Sequence, residues 1–294
     1  MGLTLRQLEI FEKVAMTEHV TKASEKLFLS QSAVSMAISE LEQETGGPLF
    51  ERRGRRLILN ERGRKLLPQA RDILRRVNSV IEMMKESVED PVGMLKVGAS
   101  TTIANYLLPA LIGKFSKLYP RAEIHLYVGN TQQIEQGVEN GDRDLGLIEG
   151  PSHLSTLDCI PWREDELVVI AGRDHPWAET AKATVQMLAP AYWVIREKGS
   201  GTREIFEAAM AQKVKSFKIG LELGHTEAIK KAVEAGLGVS CLSRLAVQRE
   251  LDYNWLVEIT TPLDLQRSLS ILVHHDKYRT KLLRSFIDFL RANI

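Results

Sequence analysis

Cysteine is scarce: Cys159 and Cys241 are the only two in 294 residues, far apart and outside any C-x-x-C spacing. A disulfide framework is thereby excluded, and a reducing cytoplasm is the expected compartment. Long apolar runs are missing too. No stretch approaches the roughly 20 residues that a membrane span needs. The first residues, MGLTLRQLEIF, show no basic segment followed by an apolar one, so no secretory leader is expected. Arg6 and Gln7 stand where an N-terminal acylation signal would carry Ser or Thr. Common catalytic signatures are also absent: there is no H-E-x-x-H, G-x-x-x-x-G-K-[ST] or G-x-S-x-G, and no G-x-G-x-x-G behind a strand. The histidines form no metal-ligand grouping, so no enzyme activity, metal or cofactor is expected.

What is present falls into parts, because 294 residues exceed one compact core and imply two or three domains. Net charge is only +1, but residues 46–76 hold ten Lys and Arg against three acids, whereas residues 1–45 hold four against seven. Such a basic segment marks a phosphate-contacting surface, although a solvated arginine face would have the same composition.

The stretch ahead of it favours nucleic acid. Thr4 and Gln7 make a capping box, and Leu8, Phe11, Val14 and Ala15 form a helix face. Thr21 reads as the cap of a second helix, Phe28-Leu29 as a tight turn, and Ser30 as the cap of a third helix ended by Gly46-Gly47. With Val34, Ile38 and Leu41 turned inward, Gln31, Ser32, Ser35, Met36 and Ser39 are left outward, as a recognition helix requires. Gln31 suits an adenine edge, and the serines a phosphate or base. Leu49–Arg52 and Leu57–Asn60 then read as strands of a wing around Arg53-Gly54-Arg55-Arg56. The candidate DNA contacts are Thr21, Gln31, Ser32, Ser35, Met36, Arg52, Arg53, Arg55 and Arg56.

Asn60 caps a long helix to about Ser87. Leu66, Ala70, Ile73, Val77, Val80 and Met84 follow a heptad spacing, with Pro68 inside as a kink or lost hydrogen bond. So long a seam cannot be buried on a small wing domain. The expectation is pairing with a second copy, placing two recognition helices on two half-sites.

After a polar linker at Glu89-Asp90-Pro91-Val92-Gly93, apolar runs alternate with helical stretches, which predicts a parallel α/β sheet. Ligands bind at the carboxyl ends of such strands. Those ends carry Ser100, Thr101 and Thr102; Asn130 and Thr131; Glu149; Ser200 and Thr202; and His225. Hydroxyls at helix starts suit a small anion, though Ser200 and Thr202 serve equally well as ordinary caps. Glu149 conflicts with an anion unless the ligand carries a proton or amine. His225 suits a surface position as well as a ligand, and Cys241 reads as core.

Over its whole length the chain resembles the LysR-type transcriptional regulators, through LRQLEIFEKVA, TKASEKLFLSQSAVSMAISELEQETGGPLFERRGRRLILNERGRKLLPQA, GDRDLGLIEG, DHPWA and EAGLGVSCLS. The resemblance implies an α+β multidomain protein. Its parts are a winged helix-turn-helix (1–60), a linker helix for dimerisation (61–91) and a periplasmic-binding-protein-like effector domain (92–294). The effector lobes would be 92–162 with 267–294, and 163–266. The usual assembly is a homotetramer on double-stranded DNA, with no membrane partner. Ser32 and Met36 depart from the common Pro and Arg, and Ser243 from a common Pro, so base preference need not follow other members. STTIANYLLP, LIEGP, REKGSGTRE and ELGHTEAIK further resemble the YeiE-like, sulfite-responsive branch. That implies an oxyanion held by Ser100, Thr101, Asn130, Glu149, Ser200 and Thr202, and hydrogen sulfite would bring the proton that Glu149 demands. The competing readings are a regulator responding to a small carboxylate, a transporter's solute-binding protein, and an enzyme using Cys241 or His225.

Overall fold

The computed structural model describes residues 2–54, 56–85 and 91–293. Arg55 of the expected wing and Glu89-Asp90 of the expected linker lie outside them. Contacts divide the chain into two compact units: residues 1–85 with 276–278, and residues 86–275 with 279–294.

The first unit comprises α1 (Leu5–Thr17), α2 (Val20–Leu27), α3 (Gln31–Glu44), β1 (Phe50–Arg53), β2 (Arg56–Leu59) and α4 (Glu61–Lys85). Its caps form as the sequence requires. The Gln7 amide donates to Thr4 Oγ1 at 3.2 Å, Thr4 N–H donates to Gln7 Oε1 at 2.9 Å, and Ala33 N–H donates to Ser30 Oγ at 3.1 Å. Thr21 is not a cap. Glu18 already turns left-handed (φ 56°), so α2 starts at Val20 behind His19, and Thr21 lies inside its first turn. Leu8, Phe11, Val14, Val34, Ile38, Leu41 and Phe50 fill the core, with the Phe11 and Phe50 rings 5.5 Å apart.

Part of the α4 seam is buried at home, contrary to expectation. Ala70 is fully buried in this core, and Leu66, Leu67 and Leu74 pack against it. Ile73, on another side of the helix, and farther along Val80, Ile81, Met83 and Met84 stand exposed. Pro68 sits within an uninterrupted α4.

The second unit begins with β3 (Gly93–Ser100), α5 (Thr101–Tyr106), α6 (Leu108–Leu118), β4 (Ala122–Gly129), α7 (Thr131–Glu139), β5 (Leu145–Glu149) and β6 (Leu157–Gly172). It continues with α8 (Val185–Leu188), β7 (Tyr192–Arg196), α9 (Gly201–Ala211), β8 (Lys218–Leu223), α10 (Thr226–Glu234) and β9 (Val239–Ser243). Last come α11 (Arg244–Asp252), β10 (Leu256–Ile259), β11 (Gln266–His274) and α12 (Lys281–Ala292). Residues 101–118 form two helices, α5 and α6, because Pro109 starts a new helix rather than extending the old one.

The sheet is mixed rather than parallel. Its path runs β4-β3-β5-β11-β6-β9-β7-β8, with β10 also on β6. Pairs within each wing of this path (β3 with β4 and β5; β7 with β8 and β9) are parallel. The pairs that join the wings (β11 with β5 and β6; β6 with β9) are antiparallel. β6 pairs with β11 as far as Glu166 and with β9 from Leu167 onward, so one strand serves both lobes. Each lobe has its own aromatic core. Phe115 meets Phe286 at 4.9 Å in one, and Trp193 meets Phe206 at 4.6 Å in the other. This topology turns the starts of α5 and α7 from one lobe towards that of α9 from the other, across the carboxyl ends of their strands.

Candidate DNA-binding face and effector cleft

On α3 the inward turn of Val34, Ile38 and Leu41 leaves Gln31, Ser32, Ser35 and Met36 in solvent, with Met36 62% exposed. Thr21 on α2 is exposed as well. The wing is fixed by its roots: Leu57 N–H donates to the Glu18 carbonyl at 2.8 Å. Asn60 accepts from Gly63 N–H at 2.9 Å and donates to the Pro48 carbonyl at 2.7 Å. Gly63 is obligatory there, since a Cβ would lie 2.2 Å from the Leu49 carbonyl oxygen. Arg52, Arg53 and Arg56 project outward. The pairs Arg53–Glu51 (3.9 Å) and Arg56–Glu18 (3.5 Å) are both exposed. Ion pairs in water hold such side chains weakly and leave them available to phosphate.

The cleft is built differently. Glu149, at the end of β5, is 2% exposed. Its Oε1 accepts from Ser100 Oγ (2.9 Å) and Thr102 N–H (3.1 Å), and its Oε2 from Thr202 Oγ1 (2.9 Å) and Arg267 Nη1 (3.1 Å). Arg267 also grips Asp165, at 2.6 Å from Nη2 and 2.7 Å from Nε, and Ser243 Oγ reaches the same carboxylate at 3.0 Å. Nearer the opening, Arg196 is tied to Glu197 through Nε (2.8 Å) and Nη2 (3.0 Å) and to Thr101 and Thr226 at 3.4 Å.

Further bonds join the lobes directly. Asn130 Nδ2 donates to Glu197 (3.2 Å) and to the Lys198 carbonyl (3.4 Å), and Gly201 N–H donates to Thr131 Oγ1 at 3.1 Å. The approach is so close that a Cβ on Gly201 would sit 2.0 Å from the Glu149 carbonyl oxygen. At the rim His153 meets Glu204 at 2.9 Å, and Tyr106 donates to Glu227 at 2.7 Å.

Burial would raise the Glu149 carboxyl, but Arg267, Thr102 N–H, Arg196 and Ser100 together hold it below its ordinary value. Glu197 is likewise pushed up by burial and pulled lower still by Arg196, so its net shift is downward. Burial and the Glu227 bond push the Tyr106 phenol up to about 12, which keeps it a proton donor. His153 is raised by its hydrogen bond to Glu204.

Two family models match: residues 5–64 fit the bacterial regulatory helix-turn-helix protein of the lysR family, and residues 89–294 fit the LysR substrate binding domain. The chain belongs to the LysR family of transcriptional regulators. Among relatives, it is 43% identical to the uncharacterized HTH-type transcriptional regulator YeiE of Escherichia coli K12, over 98% of this chain and 97% of that one. A full-length OxyR variant from Pseudomonas aeruginosa shares the fold, with a TM-score of 0.76 at 23% identity over 99% of this chain and 95% of that one. The Synechocystis PCC6803 CcmR regulatory domain in complex with 2-PG matches 68% of this chain and 97% of that one, at 32% identity and a TM-score of 0.64.

As a LysR-type regulator the protein binds DNA and carries a small-molecule effector domain; it is not an enzyme. The helix-turn-helix match rules out a transporter's solute-binding protein. The nucleophile and base considered for catalysis are unsuited to it as well. Cys241 is buried, and its thiol is pushed far above the ordinary range; His225 is an exposed residue capping α10.

Of the expected effector residues, the structure brings Ser100, Thr101, Thr102, Asn130, Thr131, Glu149, Ser200 and Thr202 to one interlobe cleft. Ser200 is 4% exposed at the start of α9, without a side-chain capping bond. Sequence reasoning missed Arg267, Asp165, Arg196, Thr226 and Ser243. Arg267, just ahead of the apolar run of β11, carried a usable signal: an arginine on a buried strand demands a buried acid.

Proposed function

We propose that this regulator reads DNA with Gln31, Ser32, Ser35 and Met36 on α3, flanked by Thr21, and grips phosphate with Arg52, Arg53, Arg55 and Arg56. A small oxyanion in the interlobe cleft, sulfite being the foremost candidate, would switch that activity. The observation that carries the effector reading is the convergence of hydroxyl and N–H donors from both lobes on one buried carboxylate. A surface that satisfies one small anion so fully has the chemistry to hold another.

Ser100, Thr101, Thr102, Asn130, Thr131, Ser200 and Thr202 are the proposed contacts, with His225 outside them. The 2-PG complex of the CcmR domain supports a small-molecule ligand for this domain type. The exposed far half of the α4 seam supports a dimer that doubles into a cytoplasmic homotetramer on a two-half-site operator.

One specific observation favours a small carboxylate as the second reading: the anion these donors already hold is a carboxylate. Titration calorimetry with sulfite, sulfate, thiosulfate and small carboxylates, paired with gel shifts at fixed salt, tests both. Saturable sulfite binding that alters DNA affinity is the expected result. Silence from all four, or binding without effect on DNA, overturns the effector assignment.

A further inference from the structure

The donors that face Glu149 are already engaged by it, and the charges around them already lean negative. Arg267 is shared by Glu149 and Asp165, and Arg196 is held by Glu197. Two cations thus face three carboxylates. An additional anion would raise the imbalance in a water-poor site, where unpaired charge is strongly disfavoured.

We propose that Glu149 is the resident ligand of this cleft: its carboxylate closes the lobes, and an effector anion enters by taking its place. The proposal rests on the cleft reading above. Of the carboxylates on Arg267, Asp165 lies in the middle of β6, the strand common to both lobes, and is further held by Ser243. Glu149 ends its strand, ahead of Gly150 in a left-handed conformation (φ 79°), so it is the one able to swing away. Its four partners come from three places: Ser100 and Thr102 in one lobe, Thr202 in the other, and Arg267 on a joining strand. Any anion that takes over these bonds inherits the bridge between lobes. The matching ligand is a monoanion presenting two oxygens side by side, a carboxylate or a protonated oxyanion. Exchange makes its affinity depend on how readily Glu149 leaves.

The test uses the full chain with Glu149→Ala and formate as probe, at ionic strength held constant with chloride. The variant should melt lower than wild type, and formate should restore it saturably by about 3 °C or more, as a site-bound ligand does. Wild type, where formate must first displace Glu149, should respond far more weakly. Equal shifts in both proteins, or none in the variant, would overturn the proposal. Should Glu149→Ala not fold, Ser100→Ala with Thr202→Val keeps the carboxylate but removes two of its four donors. Faster amide exchange at the starts of α5 and α9, without formate rescue, is then expected; unchanged exchange overturns it. Formate rescue alongside calorimetric silence towards sulfite would sink sulfite as effector and leave the resident-ligand mechanism standing.

Discussion

On α3 and the wing, the polar groups face solvent and their few mutual contacts are weak. In the cleft, polar groups of the same kinds are buried and bonded to one another across two lobes. Gln31, Ser35 and Arg52 keep their hydrogen-bonding capacity for a partner; Glu149, Thr202 and Arg267 have used theirs inside the protein. The first surface can therefore bind without rearranging, whereas the second must break its own bonds to bind anything. Affinity for DNA should thus vary with surface charge and salt, and affinity for effector with protein stability.

The contrast is broken most severely at Arg267. Replacing it by Ala leaves Glu149 and Asp165 buried without their cation, and chemical denaturation should show a loss of about 3–5 kcal/mol. Changing Arg52 and Arg53 to Ala should leave stability within about 0.5 kcal/mol of wild type. Gel shifts should nevertheless weaken about a hundredfold per half-site near 0.1 M salt, with the log–log salt slope shallower by roughly 2 per half-site. Gln31→Ala should cost about 1–3 kcal/mol of discrimination at a single base pair, seen by competition among operator variants, again without a change in melting.

Within the effector domain, acidity acts in two directions. Glu149 and Glu197 are held below the ordinary glutamate value of 4.5, so the folded state binds fewer protons than the unfolded chain. The stability they add is present above that value and lost as pH falls through their lowered values, and lobe-specific amide exchange should report it first in the effector domain. His153 has the opposite sign. Its value is raised above 6.5 by Glu204, so its contribution is present below 6.5 and vanishes as pH rises through the raised value. At 59% side-chain exposure that contribution is small. His153→Gln should flatten this slight alkaline dependence and change little else.

The legible parts of this molecule were the local ones. Thr4, Ser30 and Asn60 announce their helices because a cap and its donors lie within three residues. The strands β3, β4, β5, β7 and β9 show as apolar runs between helices. Half of β6 did not, because Arg163, Glu164, Asp165 and Glu166 interrupt the apolar signal just where the strand passes between lobes. The polarity that hid the strand is what the cleft requires there. Glu149 was legible as a cleft residue, but its cation stands 118 positions away, and no periodicity links such residues. Thr21 misled because a turn two residues shorter than expected moved the cap of α2 to His19.

A last consequence belongs to β6. Since Leu157–Glu166 pairs with β11 and Leu167–Ala171 with β9, the lobes cannot slide apart without tearing backbone hydrogen bonds of one shared strand. What remains is torsion about the strand itself, near Glu166–Leu167. Under such a twist, displacement grows with distance from the axis. Atoms beside the strand, Asp165 among them, barely move, while the rim contacts Tyr106–Glu227 and His153–Glu204 travel farthest. Spectroscopic labels at those rim positions would therefore register the motion with the greatest gain, and a label beside Asp165 would serve as the stationary reference.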